Sequence, residues 1–404
     1  MEYGMNSLKR ISMYFSRNVI ILLILRAVRW FLVVMPVVTI FYREHGLSNQ
    51  DIFILQAFYA IVVVLSEIPT GYFSDVLGRK KSLILGMIFG VIGLGTYAMT
   101  RDFWWFLIAE LILWLGSSFI SGTDSAMLYD TLLDEGKAVE NKKIQWYLQT
   151  VSSISEASAS FLGGFLAVIS IYLPYYTQFS VYLLFFPLAF FLQEPKQHKH
   201  DNKEWIWKGI INIVRYSLHE HKEVKWLILF SWAFWASTLV MSWLLQQYFT
   251  HVGVPLVYFG VLWSIFVISL VPFSFFAHNI EEFLGRKNSL LFLAFLPVLW
   301  YFFLAFFDAL WALFFVFFFY FARGFASVLL NDYVNIIVPS QIRATVLSIQ
   351  TLMFRFVFVI IGPLVGWISD TYSLQVGLFF AGCIFSLFFI VSLFFLHKNK
   401  ALSI

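Results

Sequence analysis

GYFSDVLGRKK, residues Gly71 to Lys81, is a short polar stretch wedged between two long apolar runs. A carboxylate, a helix-breaking glycine and three consecutive cations all fall between Asp75 and Lys81. A charge held at the bilayer centre costs about 2.5–3.5 kcal/mol even on insertion scales. Such a stretch therefore has to leave hydrocarbon, turn in water beside anionic headgroups and re-enter. The rest of the chain can be registered against this turn.

Composition fixes the broad class. With 60% hydrophobic and 12% charged residues over 404 positions, and a mean hydropathy of +0.81, the chain cannot fold around one aqueous globule. A polytopic membrane protein is expected. Aromatic runs such as Leu313 to Phe321 suit lipid-facing or helix-packing surfaces. The formal charge of +4 is spread along the chain rather than gathered on one face, which argues against nucleic acid as a partner. The lone cysteine, Cys383, leaves no disulfide framework and no metal-ligand pair. There is no P-loop, HExxH site or GxSxG elbow, so no enzyme, cofactor or metal is expected.

A spanning helix needs about 20 mostly apolar residues. On that measure twelve spans are expected, at about 18–42, 50–77, 80–99, 103–128, 144–170, 175–193, 224–250, 253–277, 288–306, 309–333, 343–368 and 374–396. Lys9, Arg10 and Arg17 precede the first apolar run as in a signal peptide. Arg26 and Arg29 interrupt that run and no small-residue cleavage pattern follows, so an uncleaved first span is expected. Three parts result: an N-terminal six-helix bundle (1–193), a linker (194–223) and a C-terminal six-helix bundle (224–404). Trp205, Trp207, Ile210, Ile211, Ile213 and Val214 recur at helical spacing among cations in the linker, which reads as an amphipathic surface helix. If the N-terminus is cytoplasmic, Arg43 and Arg101 are the only cations on the outer side. Both termini are then cytoplasmic by the positive-inside rule.

The two halves repeat. HNIEEFLGRK, beginning at His278, echoes the first turn, with Glu282 for Asp75, Gly285 for Gly78 and Arg286 for Arg79. Gly122, Ser125, Leu128 and Asp130 line up with Gly324, Ser327, Leu330 and Asp332.

Gly71, Asp75, Gly78, Arg79 and Lys80 fill the pattern G-x-x-x-D-x-x-G-R-K, which resembles the loop between helices 2 and 3 of the major facilitator superfamily, in its bacterial 12-helix type. That resemblance implies an all-α fold of twelve transmembrane helices in two pseudo-symmetric six-helix bundles, working by alternating access. It also implies that the loops carrying Gly71, Asp75, Gly78, Arg79 and Lys80, and Glu282, Gly285 and Arg286, gate the transport path. The alternative is a solvated turn whose cations bind anionic lipid.

Several charges lie within the spans, where they are kept mainly if they face a cavity or one another. Arg26 and Arg29 are three apart, on one face of span 1. Arg323 lies in span 10, Arg355 in span 11, Glu110 in span 4 and Glu156 in span 5, while Glu67 and Asp124 sit nearer span ends. The family's arrangement implies that Arg26, Arg29, Glu110 and Arg323 approach the substrate. Glu156 and Arg355, equivalent positions once Gly163 is aligned with Gly362, fall at the seam as proton-coupling residues. The alternative for Glu156 and Arg355, and for the arginines of span 1, is a permanent structural ion pair.

Converging guanidiniums favour carboxylate or phosphate, which they bind in a planar, bidentate fashion. The expected function is proton-coupled secondary transport of a small organic solute bearing negative charge. The chain would act as a monomer in a bacterial inner membrane, with the solute, protons and the bilayer as partners. The alternative is multidrug or siderophore efflux by drug:proton antiport. GPLVG, Gly362 to Gly366, partly matches the antiporters' glycine-proline motif but lies in span 11 rather than span 5. Ile112 stands where those antiporters carry arginine four residues before a glycine, here Gly116.

Overall fold

The computed structural model describes residues 16–196, 221–338 and 340–399. Lys9, Arg10 and the expected amphipathic stretch from Trp205 to Val214 lie outside the described residues. In chain order the α-helices are α1 (Arg17–Arg29), α2 (Val38–Glu44), α3 (Asn49–Leu77), α4 (Arg79–Met99), α5 (Phe103–Ile120), α6 (Thr123–Asp134), α7 (Asn141–Ile169), α8 (Leu173–Phe185), α9 (Lys222–His251), α10 (Val257–Phe275), α11 (Ala277–Phe306), α12 (Val316–Ile337), α13 (Ser340–Thr371) and α14 (Leu374–Lys398). They form an all-α membrane protein whose helices fall on the twelve expected spans. Among the described residues, nine helical segments are long and apolar enough to cross a bilayer.

Span 1 departs from expectation. Instead of one helix over 18–42, α1 stops at Arg29, the chain runs irregularly to Val34, and a 3-10 turn at Met35–Val37 leads into α2. Pro36 supplies no amide hydrogen and disfavours a helical residue before it. In hydrocarbon each backbone group that such a break frees must find a partner inside the protein. Ser155 Oγ on α7 donates to the Ala27 carbonyl at 2.7 Å, and Gln178 Oε1 on α8 accepts from the Val34 amide at 3.1 Å. The break is thus built in and supported by side chains.

Span 4 is also broken. Its continuous expectation, 103–128, becomes α5 and α6 hinged at Ser121 and Gly122, where Gly122 has φ +75°. Span 6 finishes as a 3-10 turn, Phe186–Phe191, and span 10 begins as one, Leu310–Phe315.

The chain divides into two compact units, residues 1–37 with 62–200, and residues 38–61 with 201–404. The core of the first gathers Val19, Leu22 and Leu25 of α1 with Leu83 and Met87 of α4, Leu128 of α6 and Leu148 of α7. In the second, Trp226 of α9 stacks on Phe395 of α14 at 4.0 Å between centroids, and Tyr301 of α11 stacks on Phe385. Residues 38–61, expected with the N-terminal bundle, make their contacts in this second unit. The Thr39 amide and hydroxyl both donate to Gln246 Oε1 on α9, at 3.0 and 2.8 Å. A Cβ at Gly366 on α13 would come within 2.8 Å of Gln50 Cα, so the GPLVG stretch is where α13 lies directly on the start of α3.

The turns at the repeat share a backbone. Gly78 (φ +106°, ψ 152°) and Gly285 (φ +75°, ψ 159°) both occupy a region open to glycine alone. At the first turn Glu194 caps α4, its two oxygens accepting from the Arg79 and Lys80 amides at 2.6 and 2.8 Å at the positive end of the helix. Asp75 pairs with Arg79 Nη1 at 2.6 Å. A Cβ at Gly78 would press on the Glu194 carboxylate at 2.9 Å, whereas a Cβ at Gly71 would meet nothing within 4 Å. Gly78→Ala is therefore expected to cost about 1–3 kcal/mol, read as a lower melting temperature in detergent, while Gly71→Ala leaves the melting temperature unchanged or raises it.

Candidate functional site

The break after α1 and the hinge before α6 meet in the first unit. Arg26, one turn before the end of α1, directs Nη1 to Asp124 Oδ2 at 2.6 Å and Nε to Ser152 Oγ on α7 at 3.0 Å. Arg29, on the same face, reaches Asp124 Oδ2 at 3.8 Å through Nη1 and Ser117 Oγ on α5 at 2.9 Å through Nη2. Two guanidiniums from one helix thus converge on a single carboxylate oxygen.

Asp124 is available because Gly122 turns the chain. It stands in the first turn of α6, where a negative charge is favoured by the helix dipole, and its Oδ1 accepts from the Ser125 amide at 2.7 Å. Sequence reading had set Asp124 aside as a residue near a span end. The glycine two residues earlier was the signal that a new helix begins there and could hold a carboxylate at its start. About a fifth of each arginine side chain remains exposed, and 12% of the Asp124 side chain. Leu22, Leu25, Met87 and Ile120 close around the cluster, leaving a cavity of about 20 Å³. That is room for about one water molecule.

Glu110 belongs to a different group. It is 8% exposed, and its oxygens accept from Tyr97 Oη on α4 at 2.7 Å and Trp114 Nε1 at 3.0 Å. The structure therefore collects Glu110 with aromatic donors and not with Arg26 and Arg29. Glu156 is half-buried on α7, one turn beyond Ser152.

In the second unit Arg323 has a different setting from the arginines of α1. Its Nη1 lies 3.4 Å from Ser242 Oγ on α9, and its guanidinium stands over Phe319 and Tyr320 at 5.9 and 5.5 Å. Arg355 stands over Tyr59 and Phe354 at 5.7 and 5.4 Å. The Nε of each is buried without a hydrogen-bond partner among the described residues. Arg286 in the second turn pairs with Glu223 of α9 at 3.3 Å and covers Tyr333 at 4.8 Å. Arg79 in the first turn pairs with Asp75 and Asp130.

The family model of the Major Facilitator Superfamily matches residues 19–363. The chain belongs to this superfamily. Solved structures share the fold over nearly the whole chain. The nucleoside transporter NupG aligns with a TM-score of 0.77 at 15% identity, covering 95% of this chain and 98% of that one. A D-xylose-proton symporter aligns with a TM-score of 0.69 at 15% identity, over 93% and 96%. At such identities the likeness is one of fold.

Sequence relatives match in part. An uncharacterized transporter of Buchnera aphidicola is 32% identical over 127 residues, 31% of this chain and 29% of that protein. The quinolone resistance protein NorA of Staphylococcus aureus is 22% identical over 165 residues, 41% and 42% of the two chains. The alignments span less than half the length of either relative. Superfamily membership makes the chain a multi-pass membrane transporter rather than an enzyme.

Removing one partner from a buried ion cluster leaves the others uncompensated. Asp124→Asn is expected to destabilise the protein by about 3–5 kcal/mol, whereas Asp124→Asn combined with Arg26→Met recovers part of that loss. Melting curves of the single and double variants in one detergent measure the difference.

Proposed function

We propose that the chain is a secondary active transporter that carries a small organic anion across a bacterial cytoplasmic membrane by alternating access, coupled to protons. The observation that supports this reading is the convergence of Arg26 and Arg29 on Asp124 Oδ2 at the break of two spans. Transporter sites commonly use interrupted helices, whose freed ends add oriented polar groups. A substrate carboxylate or phosphate offers the guanidiniums the same bidentate geometry that Asp124 offers now. On binding it takes over one guanidinium from Asp124, which opens the ion cluster.

In this reading Glu156 and Arg355 are proton-coupling residues and Arg323 is a further cation for the substrate. Glu110 adjusts the site through α5, which also carries Ser117. The turns with Asp75, Arg79 and Lys80, and with Glu282 and Arg286, are gating loops. The termini face the cytoplasm, as the distribution of cations favours, and the working unit is a monomer of two bundles, 1–193 and 224–404, joined by a cytoplasmic linker. A second reading, export of lipophilic drugs or metabolites by proton antiport, is favoured by the partial match to NorA.

Proteoliposome flux separates the two. An inward proton gradient is expected to accelerate uptake of a small carboxylate or organophosphate found by thermal-shift screening. Arg29→Ala should reduce its apparent affinity about tenfold or more, the loss of a charge-assisted hydrogen-bond pair. Uptake indifferent to the gradient, or anion-induced thermal shifts that survive both Arg29→Ala and Arg323→Ala, would overturn the anion reading.

A further inference from the structure

Residues 38–61 are parted from the rest of the spans they belong to. α2 and the first part of α3 make their contacts in the second unit, whereas residues 1–37 and 62–77 lie in the first. α3 itself runs on unbroken past residue 61. A segment tied covalently to one unit and non-covalently to the other is released from the second as soon as the non-covalent tie gives way.

Asp370, near the end of α13, is the group on which that tie converges. Its Oδ1 and Oδ2 accept from the Asn49 and Gln50 amides at 3.0 and 2.7 Å, at the positive end of α3. Oδ1 also stands 3.7 Å from Arg43 Nη1 on α2. One carboxylate therefore grips both helices of the segment. Gly366, one turn earlier on α13, allows the approach, since a Cβ there would meet Gln50 Cα at 2.8 Å and the Asn49 carbonyl at 2.9 Å. Thr39 on Gln246 is a second hold, neutral and confined to α2.

The grip is wet where the cores are dry. The Arg43 side chain is 50% exposed and that of Asp370 23%. A cavity of about 500 Å³, lined by Arg43, Glu44, Asn49 and Ser369 among others, borders it. Water in such a place can serve amides and a guanidinium that lose their carboxylate, so the exchange costs little. The stacking of Trp226 on Phe395 in the core has no such substitute.

We infer that Asp370 is a gating latch, which holds α2 and α3 on α13 while this end of the spans is closed and lets them go when it opens. α3 runs from Asn49 to Leu77, so the latch and the turn at Gly71 to Lys81 lie at opposite ends of one helix. The inference rests on the alternating-access part of the transport reading and not on the charge of the solute. In the closed state the carboxylate satisfies the first amides of α3 and balances Arg43. On opening, water takes over all of these groups, and the glycine face of α13 parts from α3.

The test reads the separation of α2 from the end of α13 in the full-length protein in nanodiscs, without solute or gradient. Cys383→Ser removes the chain's single thiol. Glu44→Cys and Tyr372→Cys, both exposed positions outside the latch, carry spin labels for double electron–electron resonance. Asp370→Asn keeps the size of the side chain but gives up its charge and one acceptor oxygen. It is expected to raise the population of longer separations about tenfold, with Asp370→Glu keeping most of the parent distribution. Arg43→Gln, at an exposed position where the fold is not at stake, should produce a smaller shift in the same direction. A merely structural cap predicts instead a lower melting temperature with the distances unchanged. Distances matching the parent in Asp370→Asn, or in Arg43→Gln should the first variant fail to fold, would overturn the latch. Anion uptake persisting beside unchanged distances sinks the latch alone, whereas longer separations in a protein that carries no anion support the latch and remove the anion reading.

Discussion

In a hydrocarbon environment no backbone group or charge can be left to water, and the organisation of this protein follows from how that demand is met where helices break. After Trp30 the chain gives up the regular helical pattern, tight local bonds take up the amides of Phe31 to Val33, and Ser155 and Gln178 serve the Ala27 carbonyl and the Val34 amide. A few residues earlier, Arg26 and Arg29 are carried into the apolar core because Asp124 meets them from the start of α6. The hinge at Gly122 makes this possible. In an unbroken span 4 Asp124 would not head a new helix, and its charge would lack the dipole that favours it there.

The two halves share a plan but not a chemistry. Gly78 and Gly285 adopt the same rare backbone, so the repeated turn is a repeated structure. Gly122 and Gly324 do not correspond in this way, because Gly122 has a positive φ and Gly324 stays inside α12. Arg26 and Arg29 find a carboxylate, whereas Arg323 finds aromatic faces and a serine. A guanidinium over aromatic rings is held by weaker forces than one in an ion cluster. In the proposed anion-transport reading the two kinds of arginine take different tasks, one a cluster that a ligand opens and the other a cation that turns toward an incoming charge.

The second unit shows the same economy of polar groups at helix ends. Asp370 serves the free amides of α3 and the side chain of Arg43 with one carboxylate, and Gly366 brings α13 close enough for it to do so. This gives the GPLVG stretch a structural meaning that its partial likeness to an antiporter motif did not supply. Glu194 does the corresponding work at the start of α4, a role that proximity in sequence would have assigned to Asp75.

Hydropathy, the spacing of cations and the turn at Gly71 to Lys81 were enough to establish an all-α membrane protein with twelve spans and a repeated half, since each depends on residues close together in the chain. The arginines of span 1 and the carboxylate Glu110 were also legible as buried charges, because a charge in an apolar run stands out whatever it contacts. Their partners were not. Asp124 is 98 residues from Arg26, and it meets the arginines from the start of the helix that follows the turn at Ser121 and Gly122. Glu110 could be placed with Tyr97 and Trp114 rather than with the arginines only once α4 and α5 were packed together. Local sequence sets what must be buried; which buried groups answer one another is decided by the path of the chain between them.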